Sequence, residues 1–149
     1  MKGFDHDQNH CRRKDKDKRL AGLIDEFVNR IKTMAPVEIL EIRDSTPERE
    51  GKDMIARVGS TQGRQIVVAM DEHGEDLTSR DLADLLGAHG GISFLIGGAD
   101  GLSPAALSRA DRTIRLSSLT LTHEMARVLL AEQIYRGLSI LRGKPYHRG

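Results

Sequence analysis

Cysteine occurs once, at Cys11, among 149 residues. That excludes an internal disulfide framework, fits a reducing cytosol, and leaves no thiolate cluster for zinc, so no metal is expected. Tryptophan is absent and aromatics make up only 3% of the chain, so a core must be built from Leu, Ile, Val, Ala and Met. No apolar run approaches the ~20 residues of a membrane span. The N-terminus is too polar for a signal peptide, and a cytoplasmic protein is expected.

Charge is not scarce but is unevenly placed. Residues 1–19 carry seven Lys/Arg and four Asp, and residues 20–103 carry eight basic and fifteen acidic side chains. Residues 104–149 carry eight basic and three acidic side chains, and from Arg136 onward there is no acid. A basic end on an acidic body suits an anion such as nucleic acid. It equally suits a solubilising tail.

The pattern along the chain divides it in two. Residues 1–19 lack hydrophobic periodicity and read as a poorly ordered charged segment. Residues 20–149 read as one domain. Leu20, Leu23, Ile24, Phe27, Val28 and Ile31 share one helical face, ended before Pro36. VEILEI, residues 37–42, reads as a strand, and a short helix is expected near Glu48 to Val58. IVVAM, residues 66–70, is continuously apolar, as a strand buried on both faces should be. DEHGED then reads as a loop. Thr78 or Ser79 caps a helix burying Leu82, Leu85 and Leu86. Ile92–Ile96 reads as a strand, Ser103-Pro104 opens a short helix, Thr113–Leu116 is a third strand, and a long helix runs from His123 to Leu141 with its apolar residues mostly on one side. Strands alternating with helices imply an α/β fold with a parallel sheet.

Three stretches carry chemistry. The first is ISFLIGGADGLSP, residues 92–104. Its glycines miss the dinucleotide spacing, Asp111 comes too early for the ribose acid, and Gly101-Leu102-Ser103 lacks the lysine of a phosphate loop. It is either a ligand loop of another kind or a plain strand-to-helix turn. The second is SSLTLTH, residues 117–123, which precedes the long helix. Its backbone can bond an adenine edge while Leu119 and Leu121 cover the ring, or Thr122 can simply cap the helix. The third is the terminal Pro145-Tyr146-His147-Arg148, where a tyrosine can stack on a base, a histidine can accept a proton and an arginine can bind phosphate, or a basic terminus can merely fray.

FLIGGADGLS, LSSLTLTHEMARVLLAEQIYRGLSILRGKPYHRG and the VVAMD strand end together resemble the RlmH family, SPOUT-class methyltransferases of large-subunit ribosomal RNA. The resemblance spans roughly Leu20 to Gly149 and is densest from Phe94 onward. It implies a SPOUT-type parallel sheet with helices on both faces and a C-terminal trefoil knot. It implies a homodimer that uses S-adenosylmethionine to methylate N3 of a pseudouridine in the assembled ribosome. By position it assigns cofactor contacts to Met70, Gly98, Ser117, Ser118, Leu119, Thr120, Leu121 and Thr122, and target binding or catalysis to Tyr146, His147 and Arg148. On this reading His147 is the candidate base for the N3 proton and Tyr146 stacks, while Arg136, Arg142 and Arg148 meet phosphates. The alternative is a knotted protein that binds ribosomal RNA without turnover.

Two departures from the family pattern are visible. The family's apolar first strand has no counterpart before Leu20, so the sheet is expected to lack a member and expose its neighbour. Thr122 stands where the family usually has proline, and threonine is expected to cap the helix instead.

Overall fold

The computed structural model describes residues 17–59, 63 and 65–149. Of residues 1–19, expected to be poorly ordered, residues 1–16 lie outside the described residues, whereas Asp17–Arg19 open α1. The elements in chain order are α1 (Lys18–Lys32), α2 (Pro47–Val58), β1 (Gln65–Asp76), α3 (Ser79–Ala88), β2 (Gly91–Ile96), α4 (Pro104–Arg109), β3 (Arg112–Arg115) and α5 (His123–Leu141). The three strands form a parallel sheet in the order β2-β1-β3.

The central strand is the apolar one because, among the described strands, it alone has neighbours on both edges and helices on both faces. Val67, Val68 and Ala69 are wholly buried, and each buried valine contributes about 1.5–3 kcal/mol relative to exposure. Alternation sorts the strand's side chains. Val67 packs with Leu95, Met54 of α2 and Ala106 of α4. Val68 packs on the opposite face with Ile92, Ile114 and with Leu82 and Leu85 of α3. On that same side Phe94, Ile96 and Met70 meet Ile31 of α1 and Leu130 and Ile134 of α5. Asp111 clamps the sheet: its carboxylate accepts from the Val67 amide at 2.7 Å and its own amide donates to the Val67 carbonyl at 2.8 Å.

Helix starts follow capping chemistry. Thr46 caps α2 and is followed by Pro47 at the first helical position, and Ser103 with Pro104 does the same for α4. Thr78 and Asp81 form a reciprocal capping box on α3. Asp17 caps α1, which begins at Lys18, two residues ahead of the first apolar position.

Three expectations are corrected. Residues 37–42 are not a strand; only Ile39 makes a bridge contact. A strand needs a laddered neighbour, and among the described residues none forms a ladder with this segment; instead Leu40 and Ile42 share a cleft of about 330 Å³ with residues 93–98 of the β2 edge. DEHGED is not a loop. After an irregularity β1 returns to pair Glu75 and Asp76 with Ile114 and Arg115. Gly74 allows this: a Cβ there would lie 2.5 Å from the Ile114 backbone. Ion pairs from Arg112 to Glu75 and from Arg115 to Asp76 hold the return. The α1 helix itself stands as expected, its apolar face partly covered, with Ile31 buried but Leu23 exposed. Finally, α5 is not one-sided: Val128, Leu130, Ala131, Ile134 and Ser139 are all buried, while Met125 and Leu141 are exposed, because α1 and α3 pack against it from two directions.

Candidate functional site

Parallel strands in register end together, and ligands of α/β sheets bind beyond those carboxyl ends. Here Met70 pairs with Ile96 of β2 and with Ile114 of β3. Just past these ends lies a cavity of about 980 Å³, at the upper end of the range for small-molecule sites. Its walls come from residues 70–73, the glycine loop 96–102 and the segment 115–124. Met70, Gly98, Ser117, Leu119, Thr120, Leu121 and Thr122 all line it. Of the positions assigned to cofactor, Ser118 alone is not on the wall; it is exposed.

The glycines of the loop have different jobs. A Cβ on Gly97 would sit 2.5 Å from the Gly101 carbonyl carbon and 2.8 Å from the Leu102 amide, so this position is set by close backbone approach. Gly101 has φ +77°, a left-handed conformation that favours glycine. Its amide donates to the Gly98 carbonyl at 3.0 Å, closing the turn. Gly98 has neither constraint: a Cβ there would meet only the Glu50 carboxylate, at 3.7 Å. The fold does not demand glycine at 98, whose backbone lines both this cavity and the cleft of about 330 Å³ that contains Glu50.

The second loop serves fold and site together. The Thr122 hydroxyl accepts from the Met125 amide at 3.3 Å, so threonine caps α5 as expected. The Ser117 hydroxyl accepts from the Leu119 amide at 2.9 Å, which folds the loop tightly and turns Leu119 outward. Leu119 is 76% exposed, an apolar side chain on the cavity rim.

Acid predominates on the wall. Asp44, Asp71, Glu72, Asp100 and Glu124 line the cavity, against Arg115 and two histidines, His73 and His123. Arg115 is already bonded to Asp76 at 2.8 Å, and that hydrogen bond holds the Asp76 carboxyl below its ordinary range. Such a wall repels polyphosphate and favours a cationic ligand. Among the described residues no group of His, Cys, Asp and Glu could hold a metal ion. The acidic wall could not have been found from spacing, because its carboxylates come from four separate segments.

The tail lies elsewhere. Gly143, at φ +65°, ends α5, and the Lys144 amide donates back to the Ser139 carbonyl at 2.9 Å. Tyr146 then folds onto α5. Its hydroxyl donates to Glu132 at 3.0 Å, and its ring meets Tyr135 edge-on with centroids 4.5 Å apart. Arg136 sits 4.8 Å over the Tyr146 ring, donates to Glu132 at 2.7 Å and reaches His147 Nδ1 at 3.2 Å. Burial, then the bond to Glu132, raises the Tyr146 phenol above its ordinary value, so it stays neutral. Arg142 donates to the Met34 carbonyl beyond the end of α1, and Arg80 of α3 donates to the Gly149 carbonyl. Arg148 is exposed. None of Arg136, Arg142, Tyr146, His147 or Arg148 lines the cavity of its own chain. Glu132, which organises the tail, was missed in sequence; its only signal there is the four-residue spacing to Arg136.

The family described as "Predicted SPOUT methyltransferase" matches residues 10–147. The protein named ribosomal RNA large subunit methyltransferase H from Ralstonia nicotianae is 45% identical over 138 residues, covering 83% of this chain and 88% of that one. Its namesake from Cupriavidus pinatubonensis is 41% identical over 148 residues, covering 87% of this chain and 93% of that one. A solved SpoU methyltransferase, AviRb from Streptomyces viridochromogenes in complex with AdoMet, aligns with TM-score 0.40 and 20% identity over 72% of this chain and 40% of its own.

Proposed function

This chain belongs to the SPOUT methyltransferase family, and from that premise we propose that it transfers the methyl group of S-adenosylmethionine to N3 of a pseudouridine in the large-subunit RNA of the assembled ribosome. The observation that carries the cofactor assignment is the convergence of Met70, Gly98, Ser117 and residues 119–122 on one acid-walled cavity at the carboxyl edge of the sheet. The fit is chemical. S-adenosylmethionine supplies an electrophilic methyl on a sulfonium cation, and Asp71, Glu72, Asp100 and Glu124 favour that charge. Gly98 gives the ligand access to backbone that no side chain shields. The amides and carbonyls of residues 117–122 meet an uncharged adenine, and Leu119 folds over it. Ser118 belongs to this loop and acts through its backbone. The rate gain then comes from holding cofactor and nucleophile in line.

Target recognition falls to the tail. Tyr146, His147 and Arg148 face the RNA in this reading, with Tyr146 stacking and Arg148 meeting phosphate. Arg136 and Arg142 add positive charge from positions already bonded within the fold. Because the tail lies away from the cavity of its own chain, the working enzyme is a homodimer in which the partner's tail completes the site. The half-covered apolar face of α1 supports such pairing. The knotted C-terminal threading implied by the resemblance belongs to the same proposal, as does a cytoplasmic location where ribosomes are assembled.

The test pairs calorimetry with transfer. S-adenosylmethionine should bind, and labelled methyl should pass to ribosomes from cells lacking the gene, at one pseudouridine. No heat at millimolar cofactor would overturn the enzyme reading. Cofactor binding with tight ribosome binding but no transfer would favour the non-catalytic alternative.

A further inference from the structure

The contacts around His147 decide which of its nitrogens carries hydrogen. A guanidinium has only N–H donors and no acceptor. Arg136 reaches His147 at Nδ1, 3.2 Å away, so Nδ1 must be the acceptor in that bond. A neutral imidazole with an accepting Nδ1 carries its hydrogen on Nε2. Protonating the ring would turn an N–H toward the guanidinium N–H and break the contact. Arg136 is itself not free to turn. Its other donors grip Glu132 Oε1 at 2.7 and 3.2 Å, and its face stacks over Tyr146. Glu132 is fixed in turn, accepting from the Tyr146 hydroxyl at 3.0 Å on Oε1 and from the Gln133 amide at 2.7 Å on Oε2. The carboxylate thus holds the guanidinium, and the guanidinium holds the imidazole.

We infer that Glu132 and Arg136 are positioning residues that fix His147 as the Nε2–H tautomer, so that His147 acts on the RNA as a hydrogen-bond donor to a target oxygen and not as the base that removes the N3 proton. This rests on the proposed role of the tail at the target. It replaces the simpler expectation from sequence, in which a histidine beside the target titrates. In this arrangement Nε2 has no lone pair to offer and Nδ1 has already used its own, so the N3 proton passes to solvent water. Tyr146 shares the same anchor. Its donor hydrogen goes to Glu132, so the phenol contributes a ring face to the target.

The test needs no substrate. In the full-length protein labelled with ¹⁵N-histidine, long-range ¹H–¹⁵N spectra near neutral pH should show His147 with a protonated Nε2 and an unprotonated Nδ1. Its signals are identified by their loss in His147→Ala. An Nδ1–H tautomer or an imidazolium at neutral pH would overturn the inference. In methyl transfer to ribosomes, His147→Gln, which keeps an N–H donor but cannot take up a proton, should lose three- to tenfold. His147→Ala should lose a hundredfold or more. Equal, complete loss in both would overturn the donor role. Arg136→Met should scramble the tautomer signal and lower turnover while S-adenosylmethionine binds within twofold of the parent. An unchanged tautomer in Arg136→Met would overturn the positioning role. Failure of the methyltransferase reading would instead show as absent cofactor binding in the parent protein, which leaves the spectra interpretable.

Discussion

Replacing Gly98 by alanine separates a ligand position from a structural one. The added Cβ would meet only the Glu50 carboxylate oxygens, at 3.7 and 3.9 Å, which is ordinary contact. Gly98 is also not among the glycines with positive φ. Folding should therefore be unaffected or slightly favoured, by at most about 0.4–1 kcal/mol from the narrower unfolded ensemble. The same change at Gly97 would place a methyl 2.5 to 2.8 Å from three backbone atoms of residues 101 and 102. Backbone cannot swing aside like a side-chain tip, so Gly97→Ala should destabilise by about 1–3 kcal/mol. If the cofactor lies against Gly98, an intruding methyl costs about 1–3 kcal/mol of binding, a five- to 150-fold rise in Kd. Urea unfolding and calorimetry with S-adenosylmethionine measure both quantities on one preparation. A Gly98→Ala protein that binds within twofold of the parent would refute the placement of the cofactor. One that unfolds as readily as Gly97→Ala would refute the description of the loop.

The acidic wall predicts a charge signature: Asp100→Asn with Glu124→Gln should weaken S-adenosylmethionine about two- to fivefold, and S-adenosylhomocysteine, which lacks the sulfonium charge, distinctly less. Equal weakening of both in calorimetry would remove the electrostatic argument. Thr78→Ala opens the capping box of α3 and should lower stability by about 1 kcal/mol in urea unfolding. Asp17 is lowered to about 2, mainly by its hydrogen bond to Arg19, while Asp81 is lowered chiefly by the Thr78 hydroxyl and Asp76 by Arg115. Carboxyls depressed on folding stabilise above the unfolded value of 3.8 and lose that contribution as pH falls through the folded values. Melting temperature should accordingly drop below about pH 4, and less steeply in Asp81→Asn. At the alkaline end the sign reverses. The Tyr146 phenol is raised above 10.0, so the tail's anchor to Glu132 persists up to that value and is lost as pH rises through the folded one. Tyr146→Phe should remove this alkaline step from tyrosine absorbance.

The parts of the molecule legible in sequence are those decided by short-range chemistry. The ends of α5 follow from Thr122 and Gly143, and the cap-proline pairs at Thr46-Pro47 and Ser103-Pro104 mark α2 and α4. β1 was legible as a buried run, but only to Met70. Its return at Glu75 depends on Gly74 meeting Ile114, forty residues away, and local pattern cannot carry that information. VEILEI failed for the opposite reason. It has strand composition, but a strand is a relation between two chains of backbone, and the described residues supply no ladder for it beyond the single bridge at Ile39.

The site divides in the same manner. Its loops were recognised from motif order, yet the acidic wall of the cavity they line is assembled from carboxylates on four segments. The basic tail looked like free charge in the sequence. In the structure two of its arginines are occupied, Arg136 by Glu132 and Arg142 by the Met34 carbonyl. The excess of Lys/Arg after residue 104 therefore overstates what remains for phosphate. This favours recognition of a shaped target, in which few charges are placed accurately, over tight binding of free RNA. Salt dependence tests that step: ribosome binding should fall with a log–log slope of only about −1 to −3. A slope several times steeper would mean that Arg136 and Arg142 release their partners and bind phosphate, and the tail folded against α5 would then not be the form that meets the RNA.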